Sequence, residues 1–454
     1  MSLVYTLFVV VSAVTILLFL VLKLKINAFL SLLTVGIYVG IITGMPLDEV
    51  IESIKSGMGG TLGFVAVVVG LGSIFGALLE SSGGAFALAH HLLKKFGDRK
   101  ASWAMMIVGF IIAIPVFFDV GFILMVPILY ALSRDTKKPL LFYSIPLLAG
   151  LAVTHSFIPP TPGPVAVADI TRAPLGWVIL FGFIVGIPTA IVAGPVFGKY
   201  ISAKISVINP IEPSSHISEN TRKSFSAPSF NLIITLISIP LLLIVLGTIT
   251  DLFIKNQILS NNLIARIILF TGHPFTALII ATFLATYLLG IRFGKSRQEI
   301  LELSTRALGP AGIIILITGA GGVLKQVLID SGIGEIMAHA VAQSPISPIL
   351  LAWILAAVVR ITQGSATVAM ITAAGIIAPV LELIQVNEMQ RALVVLSIAA
   401  GATILSHVND SGFWLVGKYL NMNEKQTLQS WTVMETIIAF SGLILCLLLN
   451  LVVR

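Results

Sequence analysis

Four short polar stretches interrupt an otherwise apolar chain, and most of its chemistry lies in them. The first reads Phe117-Phe118-Asp119-Val120-Gly121, and the second Thr154-His155-Ser156-Phe157-Ile158-Pro159-Pro160-Thr161-Pro162-Gly163-Pro164. The third reads Arg360-Ile361-Thr362-Gln363-Gly364-Ser365-Ala366-Thr367, and the fourth Ser406-His407-Val408-Asn409-Asp410-Ser411-Gly412. Proline lacks an amide donor and breaks the helical ladder, so such stretches leave backbone amides and carbonyls free. Amides at a helix N-terminus suit an anion. The Gln363 to Thr367 segment offers amides and hydroxyls without bulk, as a carboxylate cradle requires. Arg360 supplies a planar fork that matches a carboxylate, or pairs internally with an acid such as Asp119. Asp119 either carries a proton or caps the turn in which it sits. His155 and His407 can relay protons, or stay neutral and tie the broken backbone together. His407, beside Asn409 and Asp410, is the better placed of the two for a functional role. The residues expected around one bound anion are Phe118, Asp119, Gly121, Thr154, His155, Thr161, Arg360, Thr362, Gln363, Gly364, Ser365, Thr367, Asn409 and Ser411. Asp119, His407 or Asp410 is expected to handle the proton.

The elements that position these breaks must lie in a membrane. Of 454 residues, 57% are hydrophobic and 10% charged. A soluble domain carries about 25% charged residues, so a water-soluble globular enzyme is excluded, and the apolar content excludes disorder. Uncharged stretches that approach or exceed the roughly 20 residues of one bilayer crossing recur from Met1–Leu22 to Thr436–Val453. The first has no basic residues ahead of it and leads into further spans, so it is expected to be retained rather than cleaved as a signal peptide. The net charge of +7 reads as basic cytoplasmic loops rather than as a nucleic-acid surface. The clusters Lys23/Lys25, Lys94/Lys95/Arg99/Lys100, Arg134/Lys137/Lys138, Lys199/Lys204/Arg222/Lys223, Arg292/Lys295/Arg297 and Lys418/Lys425 are therefore expected inside. The loops at Asp48-Glu49, at Asp251 and from Glu382 to Arg391 then fall outside.

The segment from Ser102 to Ser133 has basic flanks on both sides. A stretch of about 30 residues cannot cross twice, so a re-entrant hairpin with its tip near Asp119 is expected, and broken backbone at that depth must lie inside protein or beside a wet cavity. A weak internal repeat sharpens the picture. At one fixed offset Gly70 meets Gly319, Gly72 meets Gly321, Ser82 meets Ser331, Gly83 meets Gly332 and His90 meets His339. Downstream, Thr154-His155-Ser156 corresponds to Ser406-His407-Val408. The charge assignment runs the two copies in opposite directions. The expectation is an all-α polytopic membrane protein of two inverted repeats with re-entrant hairpins and discontinuous helices, an arrangement typical of secondary transporters. Residues 1–198 form the first repeat (hairpin about 102–133), 199–229 a cytoplasmic linker, and 230–454 the second repeat (hairpin about 347–381). Glu80 and Asp330 each precede a Ser-Gly turn and are expected to cap it, with gating as the second role; Lys325 is expected to snorkel, and Asp169 and Arg172 to be solvated.

One cysteine, Cys446, and no cluster of His and Cys exclude a disulfide framework and a metal signature. No Walker loop, zinc-protease motif or nucleophile elbow occurs, so no cofactor is expected. Two other classes remain. An ion channel would favour long polar pore linings and charged rings, whereas paired hairpins closing off a site argue against it. An intramembrane hydrolase would use His155, Ser156 and Asp119, without an oxyanion motif to support it.

Across Phe117-Phe118-Asp119-Val120-Gly121-Phe122, Thr154 to Pro164, Gln363-Gly364-Ser365-Ala366-Thr367-Val368-Ala369 and Ser406 to Trp414, the chain resembles the gluconate permease family of gluconate:proton symporters. The resemblance covers nearly the whole chain. It implies proton-coupled uptake of gluconate or a related small hydroxy acid across the bacterial cytoplasmic membrane. Relatives take other sugar acids or D-serine, so the motifs leave the substrate open, with glycerate or D-serine as alternatives to a sugar acid. The partners implied are a small organic anion, protons and the lipid bilayer, with no nucleic acid. The family is similar to a wider ion-transporter superfamily of dimers with a fixed scaffold and a moving transport domain, which implies a homodimer and an elevator-like cycle by analogy.

Overall fold

A computed structural model describes residues 2–97, 100–205, 207, 228–342, 346–384 and 386–453. Its regular structure is entirely helical among these residues. Helices α1 (Leu3–Leu18) and α2 (Ala28–Ile42) lead into the long α3 (Leu47–Ser81), and Gly83, at φ 75°, turns the chain into the short α4 (Gly84–Phe96). α5 (Ala101–Ile112) and α6 (Phe118–Thr136) follow, separated by a short break. Then come α7 (Leu141–Phe157), a second break, α8 (Pro162–Ile170), and α9 (Leu175–Ile191), which continues through a π turn at Val192–Val196 into α10 (Phe197–Ser202).

After α11 (Phe230–Lys255), α12 (Leu263–Gly272) and α13 (Pro274–Ala285), the same order recurs. The long α14 (Arg297–Asp330) is turned by Gly332, at φ 73°, into the short α15 (Ile333–Ala342). α16 (Pro348–Gln363) and α17 (Ala366–Leu383) form a second broken pair, and α18 (Glu388–Gly401), a break and α19 (Ser411–Tyr419) form a second interrupted span. α20 (Glu424–Thr427) runs through a π turn at Leu428–Thr432 into α21 (Val433–Asn450). Among the described residues nine helices are long and apolar enough to cross a membrane. The protein is therefore an all-α, multi-spanning membrane protein whose halves repeat one order of elements.

Several boundaries differ from the apolar stretches. The long helices begin at Leu47 and Arg297, ahead of the uncharged runs, because acidic residues favour a helix N-terminus. Asp48 and Glu49 occupy the first turn of α3, and Ser296 with Glu299 forms a capping box on α14. The expected break within Thr154 to Pro164 falls between the end of α7 at Phe157 and the start of α8 at Pro162, where the prolines interrupt the ladder. Of the expected linker 199–229, α10 covers the start, and residues 206 and 208–227 lie outside the described residues. Lys325 does not snorkel to solvent: its Nζ lies 3.3 Å from Glu382 Oε1, which Arg172 Nε also approaches at 3.5 Å. Asp330 ties the long helices together, accepting from Ser53 Oγ at 2.5 Å and Gln326 Nε2 at 2.9 Å.

Small residues set the closest helix approaches. A Cβ on Gly57 of α3 would stand 2.6 Å from the Gly322 carbonyl oxygen of α14. A Cβ on Gly109 of α5 would stand 2.3 Å from the Leu147 oxygen of α7. In lipid, packing at this range replaces the hydrophobic drive that water would supply. The halves also interlock. α17 packs on α8, α6 touches α19, and α7 and α9 pack on α18. Each broken pair thus meets the interrupted span of the other half.

Candidate functional site

Three half-helices begin at one place. α6 starts at Phe118 and α19 at Ser411, while α17 starts at Ala366 behind Ser365, whose Oγ accepts from the Val368 amide at 3.4 Å. The tip between α16 and α17 turns at Gly364, with φ 85°. That left-handed backbone favours glycine, and a Cβ there would sit 2.3 Å from the Asn409 carbonyl oxygen. The second interrupted span contains a further left-handed residue, Leu405 at φ 45°.

Around these ends runs a dense hydrogen-bond network. Arg360, 3% exposed, places Nη2 2.6 Å from Asp410 Oδ2 and donates through Nη1 to the Gly364 carbonyl. Asp410 also accepts from Ser406 Oγ and, through Oδ1, from the Gly412 amide at 3.1 Å. Trp431 Nε1 donates to Ser406 Oγ at 2.6 Å, and Thr432 Oγ1 donates to the Ser406 carbonyl. Asn409 Nδ2 donates to the carbonyls of Ile361 at 3.1 Å and Thr362 at 3.2 Å, and His407 Nε2 lies 3.0 Å from the Ile361 oxygen. The partner of Arg360 is therefore Asp410 rather than Asp119.

The three N-termini border a cavity of about 380 Å³, lined among others by Phe118, Asp119, His155, Ser156, Arg360, Gln363, Gly364, Ser365, Thr367, Asn409, Asp410, Ser411, Trp431 and Glu435. Small-molecule sites run to roughly 300–1,000 Å³, so this cavity suits a single small ligand. Its electrostatics favour an anion at the helix ends and polar groups elsewhere. His155 Nδ1, Gln363 Oε1 and Arg360 Nε have no hydrogen-bond partner within the described chain. Asp119 makes no capping bond in the first turn of α6 and is exposed where it meets the cavity. Phe118 and Trp431 close one wall, their ring centroids 5.4 Å apart.

Of the residues expected from the sequence, the structure brings Phe118, Asp119, His155, Arg360, Gln363, Gly364, Ser365, Thr367, Asn409, Asp410 and Ser411 to the cavity. Gly121, Thr154, Thr161, Thr362 and His407 do not line it. Gly121 packs against Leu151, Thr161 Oγ1 donates to the Ile158 carbonyl at 2.7 Å, and Thr362 Oγ1 donates to the Val358 carbonyl at 2.8 Å. Thr154 is fully buried. Sequence reasoning passed over Trp431 and Glu435. An acid inside the last apolar run was the available signal, but a span starting at Thr436 leaves Glu435 at the membrane edge. The helix in fact extends back to Glu424 through the π turn, which carries Glu435 inward, where it is 3% exposed.

Residues 5–452 match the family described as GntP family permease. The chain is 41% identical over 450 residues to the gluconate permease of Bacillus subtilis (strain 168), covering 98% of this chain and 100% of that protein. It is 41% identical over 435 residues to the low-affinity gluconate transporter of Escherichia coli (strain K12), covering 96% of each. Over 448 residues it is 38% identical to the Gnt-II system L-idonate transporter of the same strain, covering 99% of this chain and 100% of that one. The crystal structure of the YdaH transporter of Alcanivorax borkumensis has the same fold, with a TM-score of 0.65 at 12% identity, covering 93% of this chain and 98% of that one.

Proposed function

The chain belongs to the GntP permease family, and from that premise we propose that its cavity carries gluconate or a closely related sugar acid inward together with protons. The protein is a multi-pass transporter of the bacterial cytoplasmic membrane, a secondary active permease and not an enzyme. One observation carries the substrate reading: three helix N-termini and the buried Arg360 fork converge on one cavity sized for a small solute. The carboxylate is placed against the amides at Ser365 to Thr367 and at Ser411, the Gly412 amide being held by Asp410 Oδ1. The hydroxyls of the acid are placed against Gln363, His155, Asn409 and Asp119, whose polar atoms suit alternating donors and acceptors. Arg360 acts chiefly by holding the tip and Asp410 in register, while its Nε is buried without a hydrogen-bond partner among the described residues.

The finer architecture is part of the same proposal. The recurring order from α3 to α10 and from α14 to α21 supports two inverted repeats, with α5–α6 and α16–α17 as re-entrant hairpins that enter from opposite faces. Cysteine accessibility on a Cys446→Ser background would place both tips; tips labelled from one face only would end the inverted reading. A homodimer is proposed by analogy and is tested by particle mass in nanodiscs.

The test of substrate is counterflow of labelled gluconate in proteoliposomes, with idonate, glycerate and D-serine as competitors. Saturable exchange inhibited by idonate and not by D-serine is expected. Exchange driven by D-serine alone would move the protein to an amino-acid substrate, and flux that never saturates would favour a channel.

A further inference from the structure

Glu435 is the buried acid that the binding scheme leaves unused. It lies on α21, 3% exposed, with its side chain at the cavity wall and no hydrogen bond or ion pair to its carboxyl among the described residues. Arg360 and Asp410 are the charged groups that face it; Asp119 and His155 line the same cavity. Elsewhere on the elements packed against α21, Glu388 and Arg391 stand at the remote end of α18, where Arg391 is bound to the Thr171 and Leu381 carbonyls.

The cavity therefore holds one guanidinium and three carboxyls. Arg360 and Asp410 neutralise one another at 2.6 Å, and Asp410 has further donors in Ser406 and the Gly412 amide. Among the described residues Asp119 and Glu435 have no such partner. If both are ionised, an incoming carboxylate meets two unneutralised negative charges in one protein-lined cavity of about 380 Å³, where like charges at close range repel. If both are protonated, the cavity is neutral apart from the helix ends, and those favour the anion.

We infer that Asp119 and Glu435 are the two proton carriers of the cycle, so that two protons enter with each monoanionic substrate and one net positive charge moves inward. This rests on the anion-transport reading above. Each carboxylate gains one proton from the outer side before the anion binds and returns it to the inner side after the anion leaves, so no charge is created or lost.

The experiment measures the reversal potential of gluconate flux in proteoliposomes at equal pH. For two protons per gluconate, a tenfold outward-facing substrate gradient is balanced by about 59 mV. For one proton no potential balances it, because no net charge moves. Wild type is expected to show the first behaviour. Glu435→Gln and Asp119→Asn are each expected to show the second, with counterflow persisting at a reduced rate. Wild-type flux indifferent to potential would overturn the inference. So would Glu435→Gln with wild-type coupling. Should Glu435→Gln fail to fold, the wild-type potential and Asp119→Asn still decide. Absence of any gluconate counterflow in wild type would instead end the substrate reading and the inference with it.

Discussion

The face of the cavity built by the first half is open and thinly bonded, whereas the face built by the second half is knitted together. Phe118, Asp119 and His155 reach the cavity from α6 and α7 with no side-chain hydrogen bond between them among the described residues, and the break after Phe157 is mostly proline and apolar. On the other face Arg360, Ser406, Asn409, Asp410, Trp431 and Thr432 bond to each other or to backbone at the two breaks. The same order of helices thus serves two ends. One copy spends its polar groups on fixing backbone, and the other leaves an acid and an imidazole free to meet a solute or a proton. A titrating group must have two accessible states, so it belongs on the loosely bonded face, with Glu435 as the exception contributed by the last helix.

Substitutions on the two faces should therefore separate stability from coupling. The largest effect is expected for Asp410→Asn, which leaves the Arg360 charge buried without its counter-ion. Breaking a buried pair from one side costs about 3–5 kcal/mol, so Tm in detergent should fall by about 10 °C and counterflow should vanish. A Tm within error of wild type would show that the second face is not locked by this pair. Gly364→Ala comes next. Its left-handed φ costs a residue with a Cβ about 1–2 kcal/mol, and the Cβ would press on the Asn409 oxygen. Counterflow should drop roughly tenfold, the equivalent of about 1.4 kcal/mol, with Arg360 and Asp410 intact. Unchanged flux would mean that the tip tolerates displacement.

How much of this was legible in the sequence follows from what each feature depends on. Breaks at Pro159–Pro164 and Gln363–Thr367 could be read because proline, glycine and charge inside an apolar run are local signals. So could the duplicated order, carried by Gly83 and Gly332 before matching short helices. Which acid would claim Arg360 could not be read, since Asp119 and Asp410 are both distant in sequence and only packing brings Asp410 within reach. Thr161 and Thr362 illustrate the converse. Their type and place suggested ligand contact, yet each hydroxyl is satisfied by a carbonyl of its own segment, a competition between local backbone and distant partner that spacing does not reveal. Glu435 was hidden by a helix that continues through a π turn where the charge pattern suggested a stop.

Asp119→Asn probes the open face. The carboxyl is exposed to the cavity and makes no capping bond, so Tm should stay within about 2 °C, as for exposed substitutions generally. Accumulation against a gradient should fall while exchange continues, a pattern that Asp410→Asn cannot give. A large loss of stability in Asp119→Asn would erase the distinction between the two faces.

The smallest effect on transport is expected for His407→Ala, and it tests whether a histidine at a break is a relay or a strut. Its ring lies against the Ile361 carbonyl at 3.0 Å and does not line the cavity. A strut of this kind contributes about 1 kcal/mol, so Tm should fall by about 2–4 °C and gluconate affinity should weaken a few-fold through a looser tip. The reversal potential should not move, because the number of protons carried is unchanged. His407→Gln, whose amide can donate to the same carbonyl, should recover most of the lost affinity. If His407→Ala instead shifted the reversal potential and His407→Gln failed to restore it, the proton path would run through the knitted face, and the division of labour between the halves would have to be reversed.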